Sequence, residues 1–211
     1  MRAEGEAPHF TVEQVSAILD RAEEPWRTIF AVAAMTGLRP GEVLGLTVGD
    51  LDFAEKLVHI NRSAWFRELL RTKTKSSKKP VPMPEPLEEI LRKHLGTWKE
   101  NPKRLLFVTR RGNPYSRNKV VQTRLRPILN ELKIPRGGMH AFRHMHATTA
   151  LHLGASPKTV QEQLRHSDVS ITMNRYVHSI DAAQRESAEN VAATILDGNG
   201  RKSEANSRCI N

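Results

Sequence analysis

The stretch Leu57-Val58-His59-Ile60-Asn61-Arg62-Ser63-Ala64-Trp65, continued through Leu69 and a run of lysines to Val81-Pro82, is where the chain changes period. Val58, Ile60, Trp65, Leu69 and Val81 suit short strands, and the polar, Lys-rich text around Ser76-Ser77 suits the turn between them. We read this stretch as a small antiparallel sheet whose last turn carries most of the lysines. On both sides apolar residues return at three- and four-residue spacing, the mark of helices with one buried face. The expected class is therefore mainly α with a small antiparallel β-sheet inserted early (α+β).

Outward toward the N-terminus, Pro40 suits the first turn of a short helix carrying Glu42, Val43 and Leu46. A longer helix is predicted after Pro25, apolar from Ile29 to Met35 and ending near Gly37. Thr11 and Gln14 have the spacing of a capping box, with Val12, Val15, Ile18 and Leu19 on one face. Toward the C-terminus, Pro86 to Trp98 has helical spacing, Leu105-Leu106-Phe107-Val108 resembles a strand, and Gly112-Asn113-Pro114 reads as a turn. Helices are then predicted over Ser116–Leu132, His140–Leu153, Ser156–Arg165, Ser167–Tyr176 and Ser179–Leu196. Residues 1–10 are expected to be a flexible lead, residues 11–196 one domain, and residues 197–211 a disordered tail with nothing to bury.

With 211 residues, 38% hydrophobic and 27% charged, the chain has the make-up of one soluble globular domain. Its single cysteine, Cys209, excludes an internal disulfide framework and a Cys-based zinc module. No apolar run approaches the roughly 18 residues that mark a membrane span, so no membrane partner is expected and the compartment is read as cytoplasmic. The formal net charge is +10, which favours a polyanion as partner. That charge is concentrated. Residues 67–79 hold six basic side chains against one acid, and residues 101–126 hold eight against none. Two separate runs of one sign point to a nucleic-acid surface, with Lys78, Lys79, Arg110, Arg111, Arg117, Lys119 and Arg124 as its candidate contacts. Aromatic residues make up only 5%, too few for a base-stacking single-strand binder, which leaves duplex DNA as the expected partner.

Four local clusters could carry chemistry. Arg39 precedes Glu42 by three residues, Lys73 and Lys75 lie in the basic turn, His140 and Arg143 are one helical turn apart, and Tyr176 follows His166 by ten residues. Each alone is ordinary: Arg-x-x-Glu is a common helix-surface pair, and a single tyrosine near a helix end is usually packing. Zinc at His140 and His144 is unsupported, because no Glu stands between them in the HExxH manner and no cysteine is near.

In order, however, Met35-Thr-Gly-Leu-Arg39-Pro-Gly-Glu42, Lys73-Thr-Lys-Ser-Ser77, His140-Ala-Phe-Arg143-His144 and His166-Ser-Asp-Val-Ser-Ile-Thr-Met173 with Tyr176 resemble the tyrosine recombinases, the phage integrase family. The resemblance runs from Thr11 to about Leu196. One departure is Arg165, where the family commonly has glycine. The resemblance implies a catalytic domain of a site-specific recombinase or integrase that breaks and rejoins DNA through a 3′-phosphotyrosyl intermediate. Arg39 and Arg143 would clamp the phosphate, since arginine forks match two phosphate oxygens and stay charged. His166 would be a further donor and Tyr176 the nucleophile. A phenol with pKa about 10 needs a proton acceptor, for which His140 is the candidate. Lys73, with Lys75 as alternative, would protonate the leaving 5′-oxygen, and Glu42 would anchor Arg39 or a histidine. No metal, ATP or other cofactor is implied. The family also implies a homotetramer on DNA, from a chain that is monomeric in isolation, with the Ser179–Leu196 helix docking on a neighbour. By that resemblance the chain is expected to start at the catalytic domain and to lack the N-terminal helical domain that clamps DNA in family members. Two other functions compete: a DNA-binding protein without catalysis, which has no need of Tyr176, and a type IB topoisomerase-like relaxase.

Overall fold

The computed structural model describes residues 9–66, 68–71, 79–135 and 137–165, with Arg71 described by its backbone alone. Thr11 opens α1 (Val12–Arg21) with the expected reciprocal box: its hydroxyl accepts from the Gln14 amide at 3.2 Å, and Gln14 Oε1 accepts from the Thr11 amide at 3.1 Å. α2 (Trp26–Thr36) is buried continuously from Thr28 to Ala34, as a helix apolar all round must be. It stops at Gly37, whose φ of +63° is the left-handed conformation that glycine adopts without strain. A Cβ there would also lie 2.8 Å from Leu164 Cδ2. The five-residue α3 (Pro40–Leu44) follows at once.

The β region differs from the single sheet expected. β1 (Leu51–Asp52), β2 (Leu57–Val58) and β5 (Val81–Pro82) form an antiparallel sheet in the order β1-β2-β5, while β3 (Arg62–Trp65) and β4 (Glu68–Arg71) form a separate hairpin. The junction between them explains the split. Asp50 accepts from Asn61 Nδ2 at 2.8 Å and from Arg62 Nη1 at 3.0 Å, so the chain is pinned just past Ile60 and leaves the first sheet there. Ile60 is buried but belongs to no strand. The hairpin then packs on α3, where a Cβ at Gly41 would come within 2.8 Å of the Ala64 carbonyl.

α4 (Glu85–Gly96) lies where its spacing predicts. Leu105–Val108 is not a strand: only isolated bridges touch it, Thr47 with Leu105 and Val108 with Pro114. Leu105, Leu106 and Phe107 are all buried, so the segment has no exposed face to alternate with. Side chains replace a ladder there. Asn101 takes both the amide and the carbonyl of Leu105, at 2.9 Å each, and the Trp98 indole donates to the same carbonyl. The helix predicted over Ser116–Leu132 is interrupted: α5 (Arg117–Val120) passes through a π-helical turn (Val121–Leu125) into α6 (Arg126–Glu131). Pro127 has no amide to offer the Thr123 carbonyl and its ring crowds that position, which a widened turn relieves.

α7 (Met139–His152) packs across α2, and α8 (Pro157–Leu164) packs on α7 through Ala147, Leu151, Val160 and Leu164. In the main core Phe142 meets Phe10 edge-on at 5.0 Å and stacks on Phe30 at 5.4 Å. Phe10, expected in a flexible lead, is therefore a core residue; residues 1–8 lie outside the described residues. The predicted helices Ser167–Tyr176 and Ser179–Leu196 and the tail 197–211 lie outside the described residues.

Candidate active site

Three helix termini meet at one point, the start of α3, the start of α7 and the end of α8. Arg39 directly precedes Pro40, so it is held at the mouth of α3 rather than along its side. Glu42, one turn on, turns back to it. The Glu42 carboxylate accepts from the Arg39 amide at 2.7 Å (Oε2) and from Arg39 Nη1 at 3.1 Å (Oε1). His140 and Arg143 lie on the first turn of α7, at the spacing that puts both on one side. Arg143 is only 5% exposed and is braced against main chain. Its Nη1 donates to the Gly37 carbonyl at 2.6 Å and its Nη2 to the Leu164 carbonyl at 2.5 Å. These bonds tie the ends of α2 and α8 to α7.

At the end of α8 stands Arg165, with 1% of its side chain exposed. Its Nη2 meets Glu42 Oε2 at 2.5 Å, and its carbonyl accepts from Arg39 Nη2 at 3.4 Å. Burial pushes its pKa down, and the Glu42 carboxylate opposes that shift. Two guanidinium groups, Arg39 and Arg165, thus share the Glu42 carboxylate, and Arg143 is held nearby on the carbonyls of Gly37 and Leu164. Arg39 is the guanidinium that reaches solvent, at 38% exposure. It lines a concavity with His140, Ser63–Phe66 and Ser116–Asn118. An anion with several oxygens, such as a phosphate, suits that arrangement. Three residues after Arg143 on α7, His146 Nδ1 lies 3.0 Å from the Ala34 carbonyl. Burial holds the His146 imidazole below its usual pKa, against the pull of that hydrogen bond.

The structure places Arg39 and His140 on one concavity, Glu42 on Arg39, and Arg143 on the carbonyls of Gly37 and Leu164. Lys73, Lys75, Lys78, His166 and Tyr176 lie outside the described residues. Of the basic candidates, Arg117 lines the same concavity as Arg39, and Arg110, Arg111 and Lys119 line an adjoining one. Phe66 and Ser116 belong to both. Lys79 is exposed beside β5. Arg124 lines neither hollow; its guanidinium lies 4.9 Å over the Trp26 ring. Sequence reading missed two features. Arg165 was visible only as a departure from the expected glycine, not as a partner of Glu42. Trp65, which ends β3 as its strand reading implies, and Phe66, to which the sequence reading gave no role, are exposed at the hairpin tip and form the rim of the site.

Residues 8–183 match the phage integrase family. The chain belongs to that family. It is similar to the tyrosine recombinase XerC-like protein of Caldanaerobacter subterraneus subsp. tengcongensis, at 30% identity over 89% of this chain and 54% of that one. It is also similar to the transposase from transposon Tn916 of Enterococcus faecalis, at 32% identity over 72% of this chain and 42% of that one. The chain spans about half the length of these relatives. Among solved structures, the Tn1549 transposon integrase in complex with circular intermediate DNA superposes with a TM-score of 0.76, at 21% identity over 90% of this chain and 69% of that one. XerA recombinase superposes with a TM-score of 0.71, at 24% identity over 90% and 65%. These likenesses establish the integrase-family fold, mainly helical with small antiparallel sheets.

Proposed function

We propose that this chain is the catalytic domain, over residues 11–196, of a site-specific DNA recombinase that cuts and rejoins duplex DNA through a 3′-phosphotyrosyl intermediate. The observation that carries the reading is the placement of Arg39 and His140 at one concavity, with Glu42 bonded to Arg39 and Arg143 bonded to the carbonyl of Gly37 two residues before Arg39, in a chain of the phage integrase family. Arg117 in the same concavity and Arg110, Arg111 and Lys119 in the adjoining one give the duplex phosphates somewhere to lie. The solved relatives named above include an integrase in complex with DNA, which fits the same partner.

The reaction follows from the groups. A phosphodiester repels nucleophiles, and its five-coordinate transition state gathers more negative charge on the non-bridging oxygens. Arg39 and Arg143, with His166 as a further donor, offset that charge in a site that is already positive. The Tyr176 phenol oxygen attacks phosphorus while His140 takes its proton. The bond from phosphorus to the 5′-oxygen breaks, and Lys73, or Lys75 in its place, protonates the leaving oxygen. The new phosphotyrosyl bond keeps the energy of the broken one, so a second 5′-hydroxyl can reverse the step without ATP or a metal. Two such exchanges on paired duplexes need a homotetramer, with Ser179–Leu196 docking on a neighbour; the isolated chain is expected to be a monomer. The setting is the cytoplasm, on chromosomal or phage DNA.

Nicked suicide duplexes of randomised sequence test this reading. The recombinase should form adducts that survive SDS, because the short 5′ fragment diffuses away and traps the intermediate. Binding without adducts would favour a passive DNA-binding protein, and relaxation of supercoils by a monomer would favour a type IB topoisomerase-like enzyme.

A further inference from the structure

Arg165 sits where two forces oppose it. Its backbone, at φ 55° and ψ 43°, is in the left-handed region that ends α8, a conformation that favours glycine over any residue with a Cβ. Its guanidinium is almost wholly removed from water, which disfavours a charge unless a partner meets it. The partner is Glu42, whose side chain is only 4% exposed and lies 123 residues away in sequence.

The arrangement has an electrostatic consequence for Arg39. If Glu42 faced Arg39 alone, carboxylate and guanidinium would cancel, and an approaching phosphate would meet a neutral pair. With Arg165 on Oε2 and Arg39 Nη1 on Oε1, the trio keeps one net positive charge, and Arg39 is its solvent-facing member. The main chain closes the loop, because Arg39 Nη2 donates to the carbonyl of Arg165 itself. We propose that Arg165 is a positioning residue of this active site: it takes up the Glu42 carboxylate so that Arg39 presents its charge to the scissile phosphate. The proposal rests on the recombinase reading for its substrate, but its charge balance stands on the geometry alone. It also accounts for the departure from glycine, since the side chain supplies what the strained backbone costs.

The test compares Arg165→Met, Arg165→Lys and Arg165→Gly with Glu42→Gln and the double variant Arg165→Met/Glu42→Gln. Two readouts are used on protein shown by circular dichroism to be folded. One is binding of inorganic phosphate, followed by the NMR shift of the Arg39 Nε–H group. The other is single-turnover adduct formation on the suicide duplex beside duplex affinity. Arg165→Met should weaken phosphate binding and slow adduct formation by about tenfold, with duplex affinity within about twofold, because the lost term acts on one phosphate. Arg165→Lys should recover part of both. Removing the Glu42 charge as well should make the double variant better than Arg165→Met alone. A purely structural role would move none of these ratios. Arg165→Gly, which suits the backbone, keeps the comparison open if Arg165→Met does not fold; it should be as impaired as Arg165→Met. The proposal is overturned if Arg165→Gly or Arg165→Met binds phosphate like the wild type, if Lys is no better than Met, or if the double variant is worse than Arg165→Met. Should the wild type form no adducts, the recombinase reading fails, while the phosphate titration still decides the role of Arg165.

Discussion

The arginine cluster and the β3–β4 hairpin face each other across the same concavity and are built on opposite lines. The guanidinium groups of the cluster are held by fixed partners. Arg143 reaches two main-chain carbonyls on different helices, and Arg165 and Arg39 share one carboxylate. The hairpin tip carries Trp65 at 58% and Phe66 at 72% exposure, in edge-on contact at 5.5 Å, with Phe66 at φ 54°. The contrast is between a part whose side chains are pinned by their partners, to which we assign the phosphate, and a rim with exposed apolar surface. Helix termini suit the first task because their main-chain groups are fixed by the helices behind them.

Substitutions sharpen that contrast, and the largest effect belongs to the cluster. Arg143→Ala should cost about 2–4 kcal/mol of stability in urea denaturation, because it leaves the buried carbonyls of Gly37 and Leu164 without this donor. A loss under about 0.5 kcal/mol would mean that these bonds do not tie the helices together. Next comes His146, behind the cluster. In the unfolded chain its imidazole takes up a proton near pH 6.5, but burial keeps the folded form neutral to lower pH. The unfolded state thus binds more protons across that window, so stability is lost as pH falls through and below 6.5. The drop in urea midpoint on acidification should therefore be smaller in His146→Gln than in the wild type; an equal drop would remove His146 as the cause. The smallest effect on stability belongs to the rim. Trp65→Ala should change stability by less than about 0.5 kcal/mol, as surface positions do. It should nonetheless weaken duplex binding severalfold in a fluorescence titration. Unchanged affinity would make the rim a bystander.

Much of this was legible in the sequence, and the reasons differ by residue. Thr11 with Gln14, Gly37 and Ser156 mark helix ends by local chemistry, so those ends lie where they were expected. Arg39 with Glu42 and His140 with Arg143 are each one helical turn apart, so their mutual placement is local too. The meeting of those two pairs came from resemblance, since nothing in the spacing brings α3 to α7. The link from Arg165 to Glu42 spans 123 residues, and no periodicity encodes it. Leu105–Val108 misled because a run buried on all sides reads the same as a strand or as a loop held by Asn101 and Trp98. The two sheets were read as one because the break depends on Asp50, which lies before the stretch that it divides.

The most direct test of the account is to map the trapped protein–DNA linkage. Adducts from the nicked duplex are digested and sequenced by mass spectrometry, beside Tyr176→Phe and Arg143→Lys. The account predicts a 3′-phosphate joined to the peptide that contains Tyr176, no adduct from Tyr176→Phe, and a rate at least about a hundredfold lower from Arg143→Lys, since a lysine cannot span two phosphate oxygens. A linkage on another residue, or an adduct that persists in Tyr176→Phe, would contradict it.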